Sequence, residues 1–318
     1  MVGLAHRGFQ ISDYDQHLVR LLNQQGYETA LCGIQNVAAD KQEIGYGRIL
    51  DGPEEYPTEG DLGSWDRHHA DLAVQFLHER HDRPFFLSLG LASTHRPFPN
   101  VPVTKPPRRY LRAPERILDD PASRLDMERF AESLRTVDDI VGQVTSAVRS
   151  AGLWDDTIII LTTDHGPAFP EMKGTLLDSG IGVSLIFRSP SIPGSTEGRA
   201  DYSLVSHLDV FPTLCDLLDL PKPERLEGVS LVPLLARTAT SIRGRIFAET
   251  NYHAVYEPAR CVRTDRYKLI RHYGDSDLPR PANVDDSPTK DLASHAGYFQ
   301  DPRSREQLFD LHRDPQER

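Results

Sequence analysis

The chain has 318 residues, enough for one large α/β domain with a smaller companion. Its 38% hydrophobic and 26% charged residues allow a sizeable core, and 36 basic against 47 acidic side chains leave a formal charge of −11, which argues against bulk binding to nucleic acid. No apolar run reaches membrane-spanning length, and "MVGLAHRGFQ" lacks the apolar centre of a signal peptide; Cys32, Cys215 and Cys261 form no CxxC pair and read as buried free thiols, so localisation stays open.

The segment "SDYDQHLVRLLNQQGY" offers Ser12 as a helix cap, places Leu18, Leu21 and Leu22 on one face and stops at Gly26. A short strand, "ETALCG", follows. A helix over 66–80, with His68 and His69 on a solvated face, precedes the apolar run "PFFLSLGLA" (84–92). Residues 96–124 carry seven prolines and several arginines and form a long irregular connection of the kind that is often functional. A long helix follows, with Phe130, Leu134, Val137, Val141, Val144 and Val148 recurring at helical spacing, and leads into "TIIILTT". "VSLIF" (183–187) is a further apolar strand. Strands that are apolar throughout and alternate with helices predict a three-layer α/β/α sandwich with a mostly parallel sheet over residues 1–238. The remainder, 239–318, reads as a small C-terminal α+β subdomain. Its strands are "IFAET", "RCVRTDRYKLIRHY" with a turn at Thr264-Asp265, and "EQLFDL", and 273–304 is a surface loop between them.

Ligands of open α/β sheets bind beyond the carboxyl ends of the strands. Asp155 and Asp156 precede "TIIIL" and face away from that edge, whereas Asp164 and His165 follow it, and His95 follows "PFFLSLGLA". Asp164 and His165 are competent to hold a divalent cation, and Lys173 and His95 to hold an anion beside it. That combination suits hydrolysis or transfer of a charged ester. Asp-His-Gly is equally the composition of a polar turn, and a single histidine such as His95 is often structural.

Six blocks then coincide with a family. "GLWDDTIIILTTDHG", "KGTLLDSGIGVSLIFRSP" and "SLVSHLDVFPTLCDLLDL" followed by "LEGVSLVPLL" resemble the sulfatase family of the alkaline phosphatase superfamily. So do "RPFFLSLGLASTHRPF", "CVRTDRYKLI" and "QLFDLHRDPQE", in matching order. "DHGPAFP" and "NYHAVYEPARCVRT" lean towards the heparan N-sulfatase-like branch. The resemblance implies an alkaline phosphatase-like fold and hydrolysis of sulfuric esters or sulfamates, with an anionic sulfated small molecule or glycan as substrate. It implies Asp164 and His165 as ligands of a divalent metal, most often Ca2+, with Mg2+, Mn2+ or Zn2+ as other options. Lys173 and His95 become the groups that bind the sulfate. Arg96, Arg108 and Arg109 are candidates for contacting anionic sugar groups, and His253 for binding substrate. The resemblance says nothing of oligomeric state, and exported relatives are common in the family.

Three departures accompany the match. The family's formylglycine nucleophile comes from a Cys/Ser-x-Pro-x-Arg motif, which this sequence does not contain. The family's paired metal aspartates, on its first strand, would lie upstream of Met1. The family's Gly-Lys-x-His block aligns with "CGIQN", so that Ile34 stands for lysine and Asn36 for histidine. Ile34 cannot stabilise a sulfate oxygen, and Asn36 cannot act as acid or base near neutral pH. The chain as given is therefore expected to be an incomplete form with impaired activity. Two alternatives are a non-catalytic sulfatase-like binding protein and a phosphate or phosphonate ester hydrolase of the same superfamily.

Overall fold

The computed structural model describes residues 10–51, 61–101, 111–192 and 198–318. In chain order the elements are α1 (Leu18–Gln24), β1 (Glu28–Gly33), β2 (Arg48–Leu50), α2 (Leu62–His78), β3 (Phe85–Gly90) and α3 (Pro121–Ser150). After them come β4 (Ile159–Thr162), α4 (Asp178–Ile181), β5 (Leu185–Arg188), α5 (Val210–Leu217) and α6 (Val232–Leu235). The chain ends with β6 (Ile246–Tyr252), β7 (Tyr256–Arg263), β8 (Tyr267–His272), α7 (Pro288–His295) and β9 (Glu306–Asp310). They belong to two compact units, Met1–Trp154 with Asp285–Ala296, and Asp155–Val284 with Gly297–Arg318. The boundary expected at residue 238 falls inside the second unit.

The first unit is built on a parallel sheet ordered β2-β1-β3, with β1 and β3 in register from Glu28–Phe85 to Gly33–Gly90. β2, only three residues long, carries no periodicity that a sequence could reveal. α1 buries Val19 and Leu22 and is capped by His17, whose Nδ1 accepts the Val19 N–H at 3.3 Å; Ser12 does not cap it. α2 starts at Asp61, whose carboxylate accepts the Ser64 N–H. Leu77 of α2 packs with Ala147 and Val148 of α3 against Phe85 and Leu87. Burial of Leu77 and of Val148 contributes about 1.5–3 kcal/mol each.

Two expectations about these helices change. Leu134, assigned to the buried face of α3, is exposed, and the buried stripe runs instead through Ser123, Asp126, Ser133, Thr136, Ile140, Ala147 and Val148. Its amino-terminal half is polar because Asp126 there binds Arg96, and Thr136 meets Arg67. His69 is buried, not solvated: its ring packs at a tilt against Trp65, with centroids 3.9 Å apart, and its Nδ1 lies 2.9 Å from the Trp65 carbonyl. The 273–304 segment is also more than a surface loop. It contains α7, whose Thr289 is fully buried and donates to Asp126.

The second unit holds an antiparallel pair, β4-β5, and an antiparallel four-stranded sheet ordered β6-β7-β8-β9. The antiparallel β4-β5 pairing departs from the parallel arrangement expected. A parallel return needs a crossover of a dozen or more residues, normally a full helix. Between β4 and β5 the only helix is the four-residue α4, because the connection is occupied by the Asp164–Lys173 loop. The pair is also half-buried, with Ile186 exposed, where the apolar run suggested burial on both faces. The four-stranded sheet packs Ala259, Cys261, Ile270 and Phe309 against Leu176 and Leu177, so the residues just after Lys173 rest on its inner face.

Candidate functional site

The carboxyl end of β4 is fastened before the candidate ligands begin. The Thr163 N–H donates to the Ser184 carbonyl at 3.2 Å, and the Ser184 N–H returns to Thr163 Oγ1 at 3.1 Å. Asp164, His165 and Gly166 follow. The Gly166 N–H donates to the Gly180 carbonyl at 2.9 Å, and a Cβ at Gly166 would stand 1.8 Å from the Ser179 carbonyl oxygen. Glycine is therefore required by the close approach of the 179–180 backbone. The Pro167 carbonyl then accepts from Phe169 at 2.8 Å and Lys173 at 3.1 Å, folding the loop over buried Phe169 and Met172.

Within this loop Asp164 and His165 come together. His165 Nδ1 donates to the Gly166 carbonyl at 2.7 Å, which places the ring proton on Nδ1 and leaves the Nε2 lone pair free in the neutral ring. That Nε2 lies 3.4 Å from Asp164 Oδ2. A lone pair facing a carboxylate at this distance is repulsive unless a proton or a metal cation lies between them. The pair thus fits two adjacent corners of a cation site. Among the described residues no group of three or more His, Cys, Asp or Glu side chains is arranged to hold a metal. Two donors fall short of the six to eight oxygens that calcium takes. A complete metal site is not made by these residues, and no chemical step is derived through one.

Lys173 is buried, only 6% exposed, an unusual place for an ammonium group. Gly174 follows with φ +79°, in the left-handed region, and the His253 ring at the β6–β7 turn lies 3.9 Å from where its Cβ would stand. His207 is a neighbour that sequence reading passed over. Its Nε2 lies 2.8 Å from Thr162 Oγ1; desolvation lowers its pKa below the ordinary imidazole value, and the Asp164 carboxylate acts in the opposite direction. It lies 45 residues from Thr162 in a helix-start pattern, so no ligand spacing could have pointed to it.

His95 belongs to the first unit. It closes a turn after β3, its N–H donating to the Ala92 carbonyl at 2.8 Å and its Nδ1 to the Arg96 carbonyl at 2.7 Å. Asp66 of α2, fully buried, supports that turn by accepting the Ala92 N–H at 2.8 Å, the Ser93 N–H at 2.7 Å and the Ser93 hydroxyl. Burial pushes the Asp66 carboxyl pKa up, and these hydrogen bonds offset part of the rise. Arg96 is not a solvated arginine open to a ligand. Its guanidinium, 9% exposed, is held bidentate by Asp126 at 2.7 and 2.9 Å and lies 4.2 Å from the Phe98 ring centroid. Arg108 and Arg109 lie outside the described residues. Ile34 packs against Leu62, Trp65 and Ala92, and Asn36 is exposed.

A family model described as Sulfatase matches residues 3–220, and one described as N-sulphoglucosamine sulphohydrolase, C-terminal, matches residues 172–291. The human N-sulphoglucosamine sulphohydrolase is 28% identical, the alignment covering 100% of this chain and 72% of that protein. Human arylsulfatase A is 30% identical over 75% of this chain and 44% of its own length, so the chain spans less than half of that relative. A solved 2-O GAG sulfatase superimposes with a TM-score of 0.71 at 19% identity, covering 97% of this chain and 70% of the other.

Proposed function

The chain belongs to the sulfatase family, with the features of its heparan N-sulfatase-like branch, and on that premise we propose that it carries the sulfate-binding half of a hydrolase site for sulfuric esters or sulfamates on saccharides. The observation that supports this reading is the Asp164–His165 pair, with Oδ2 and Nε2 3.4 Å apart, in the loop that also delivers buried Lys173. Lys173 supplies a positive charge in a low-dielectric setting, where it attracts an anion far more strongly than in water. His95, whose Nδ1 donates to the Arg96 carbonyl, is the second group that the resemblance assigns to binding the sulfate. Asp164 and His165 are the residues that would hold a divalent cation, whose chemistry is to neutralise charge on the sulfate oxygens. The sequence contains no Cys/Ser-x-Pro-x-Arg motif, so binding is the property to measure first in this chain.

The test is titration calorimetry with glucosamine 2-N-sulfate, with and without Ca2+ or Mn2+, alongside a sulfate-release assay and a phosphonate ester as control. Binding is expected in the wild-type chain and lost in Lys173→Ala. Equal binding by wild type and Lys173→Ala removes the reading. A second reading, a binding protein without turnover, is favoured by Ile34. The side chain at the position of the family's lysine packs with Leu62, Trp65 and Ala92 and contributes nothing to an anion site. Saccharide binding with no sulfate release supports this second reading, and sulfate release removes it.

A further inference from the structure

The tip of the β6–β7 hairpin is fastened by a residue far along the chain. Asn283, 6% exposed, accepts the backbone N–H groups of Ala254 at 2.9 Å and Val255 at 3.0 Å on Oδ1. Its Nδ2 donates to the Glu257 carboxylate, which is also paired with Arg303. Only this orientation of the amide satisfies its neighbours, since Oδ1 faces two donors and Nδ2 faces an acceptor. The same residue reaches the candidate site. Its backbone carbonyl lies 3.5 Å from where a Cβ on Gly174 would stand, and His253 Cγ lies 3.9 Å from that point. One buried asparagine therefore lies beside the residue after Lys173 and fixes the turn that places His253 next to it.

We propose that Asn283 is a positioning residue for saccharide recognition. By locking the 253–255 turn it holds the His253 ring at the Lys173–Gly174 turn, where an imidazole nitrogen meets a hydroxyl or N–H of a sugar whose sulfate lies at Lys173. The inference rests on the reading of Lys173 as the sulfate-binding group. It separates two parts of the ligand: the sulfate is held by Lys173, and the sugar is recognised by a ring whose place is set by Asn283.

The experiment compares the affinities of glucosamine 2-N-sulfate and inorganic sulfate for the wild-type chain, Asn283→Ala, His253→Ala and the double variant. Asn283→Ala leaves two backbone N–H groups without their acceptor. It is expected to weaken the sugar roughly 5- to 10-fold, the equivalent of one net hydrogen bond, and to leave inorganic sulfate unchanged. His253→Ala is expected to match it, and the double variant to lose nothing more. Equal weakening of both ligands, no weakening of either, or additive losses overturn the inference. Wild-type chain that binds neither ligand overturns the Lys173 reading and the inference with it, whereas sugar binding untouched by Asn283→Ala overturns the inference alone. Amide exchange tests the same point without any substitution. Protection at Ala254 and Val255 is expected to rise with the sugar and not with sulfate, and unchanged protection counts against the proposal.

Discussion

Replacing Lys268 by methionine should destabilise the second unit more than any surface change. The Lys268 side chain is 0% exposed, and its ammonium lies 2.9 Å from Asp178 Oδ1 and 2.8 Å from Glu317 Oε1. Asp178 also accepts Arg263 Nε and Nη2 at 3.0 Å, and Glu317, 2% exposed, accepts the Asp178 N–H. Two cations and two carboxylates thus balance, with the Lys268–Glu317 pair buried and Asp178 and Arg263 partly exposed. Removing Lys268 leaves Asp178 with Arg263, but takes from the buried Glu317 carboxylate the ammonium that balances it. Breaking a buried pair from one side typically costs about 3–5 kcal/mol, whereas a neutral replacement of both partners is often near neutral. Lys268→Met is therefore expected to lower the unfolding free energy by about 3–5 kcal/mol, and Lys268→Met with Glu317→Gln to recover most of that loss. Urea denaturation followed by circular dichroism measures both. A single-variant loss under about 1 kcal/mol, or a double variant as unstable as the sum of the two singles, would falsify the argument. Because Asp178 lies five residues beyond Lys173, the same substitution is expected to weaken sulfate binding.

The cluster also sets a pH dependence. Burial pushes the Asp178 carboxyl up, but hydrogen bonds from Arg263 and Lys268 outweigh it and hold the pKa below the ordinary 3.8. Its stabilising contribution is thus complete above pH 3.8 and is lost as the pH falls through the lower, folded-state value. Asp66 behaves in the opposite sense. Its folded pKa is raised above 3.8, so the stability linked to it is full below 3.8 and declines as the pH rises through the folded value. Asp66→Asn should abolish that decline and cost about 1–3 kcal/mol at neutral pH, because one amide oxygen cannot accept all of the Ala92 N–H, Ser93 N–H and Ser93 hydroxyl hydrogen bonds that the carboxylate accepts, and the new NH2 group adds a buried donor. Urea midpoints between pH 3 and 7 reveal it, and an unchanged pH slope refutes it. Arg96→Ala should cost about 3–5 kcal/mol through the orphaned Asp126 carboxylate, and this loss of stability, read by thermal melting, should appear even without ligand. Gly166→Ala forces a methyl group against the Ser179 carbonyl and should cost at least about 1–3 kcal/mol; an unaltered melting curve would show that the 179–180 backbone yields freely.

Much of the architecture is legible locally. β1, β3, β4, β5 and the C-terminal strands lie where apolar runs predicted, α2 and α3 where helical spacing did, and the turn at Thr264 joins β7 to β8. These features depend on neighbours within a few residues, and a period of two or 3.6 records them directly. Gly166 and Gly174 belong to the same class, since the need for a bare backbone is written as glycine. Six blocks in matching order, among them those around Asp164, His165 and Lys173, placed the chain in its family.

What depended on tertiary structure is the pairing of polar groups across long stretches of chain. Arg96 reads as a loop arginine until Asp126, 30 residues later, takes its guanidinium; Thr289, 163 residues from Asp126, completes that contact. His69 reads as half of an exposed pair until Trp65 and Cys32 enclose it. Asn283 lies in a loop-like stretch, and only its bonds to Ala254, Val255 and Glu257 reveal it as a hub. The antiparallel direction of β5 likewise depends on the path of a 22-residue connection and not on the composition of the strand. The sequence by itself determined which segments are apolar, where the backbone must turn and to which family the chain belongs. The fold decided which charges are buried with which partners, because a buried charge is tolerated only where three-dimensional proximity supplies its complement, and sequence separation carries no record of that proximity.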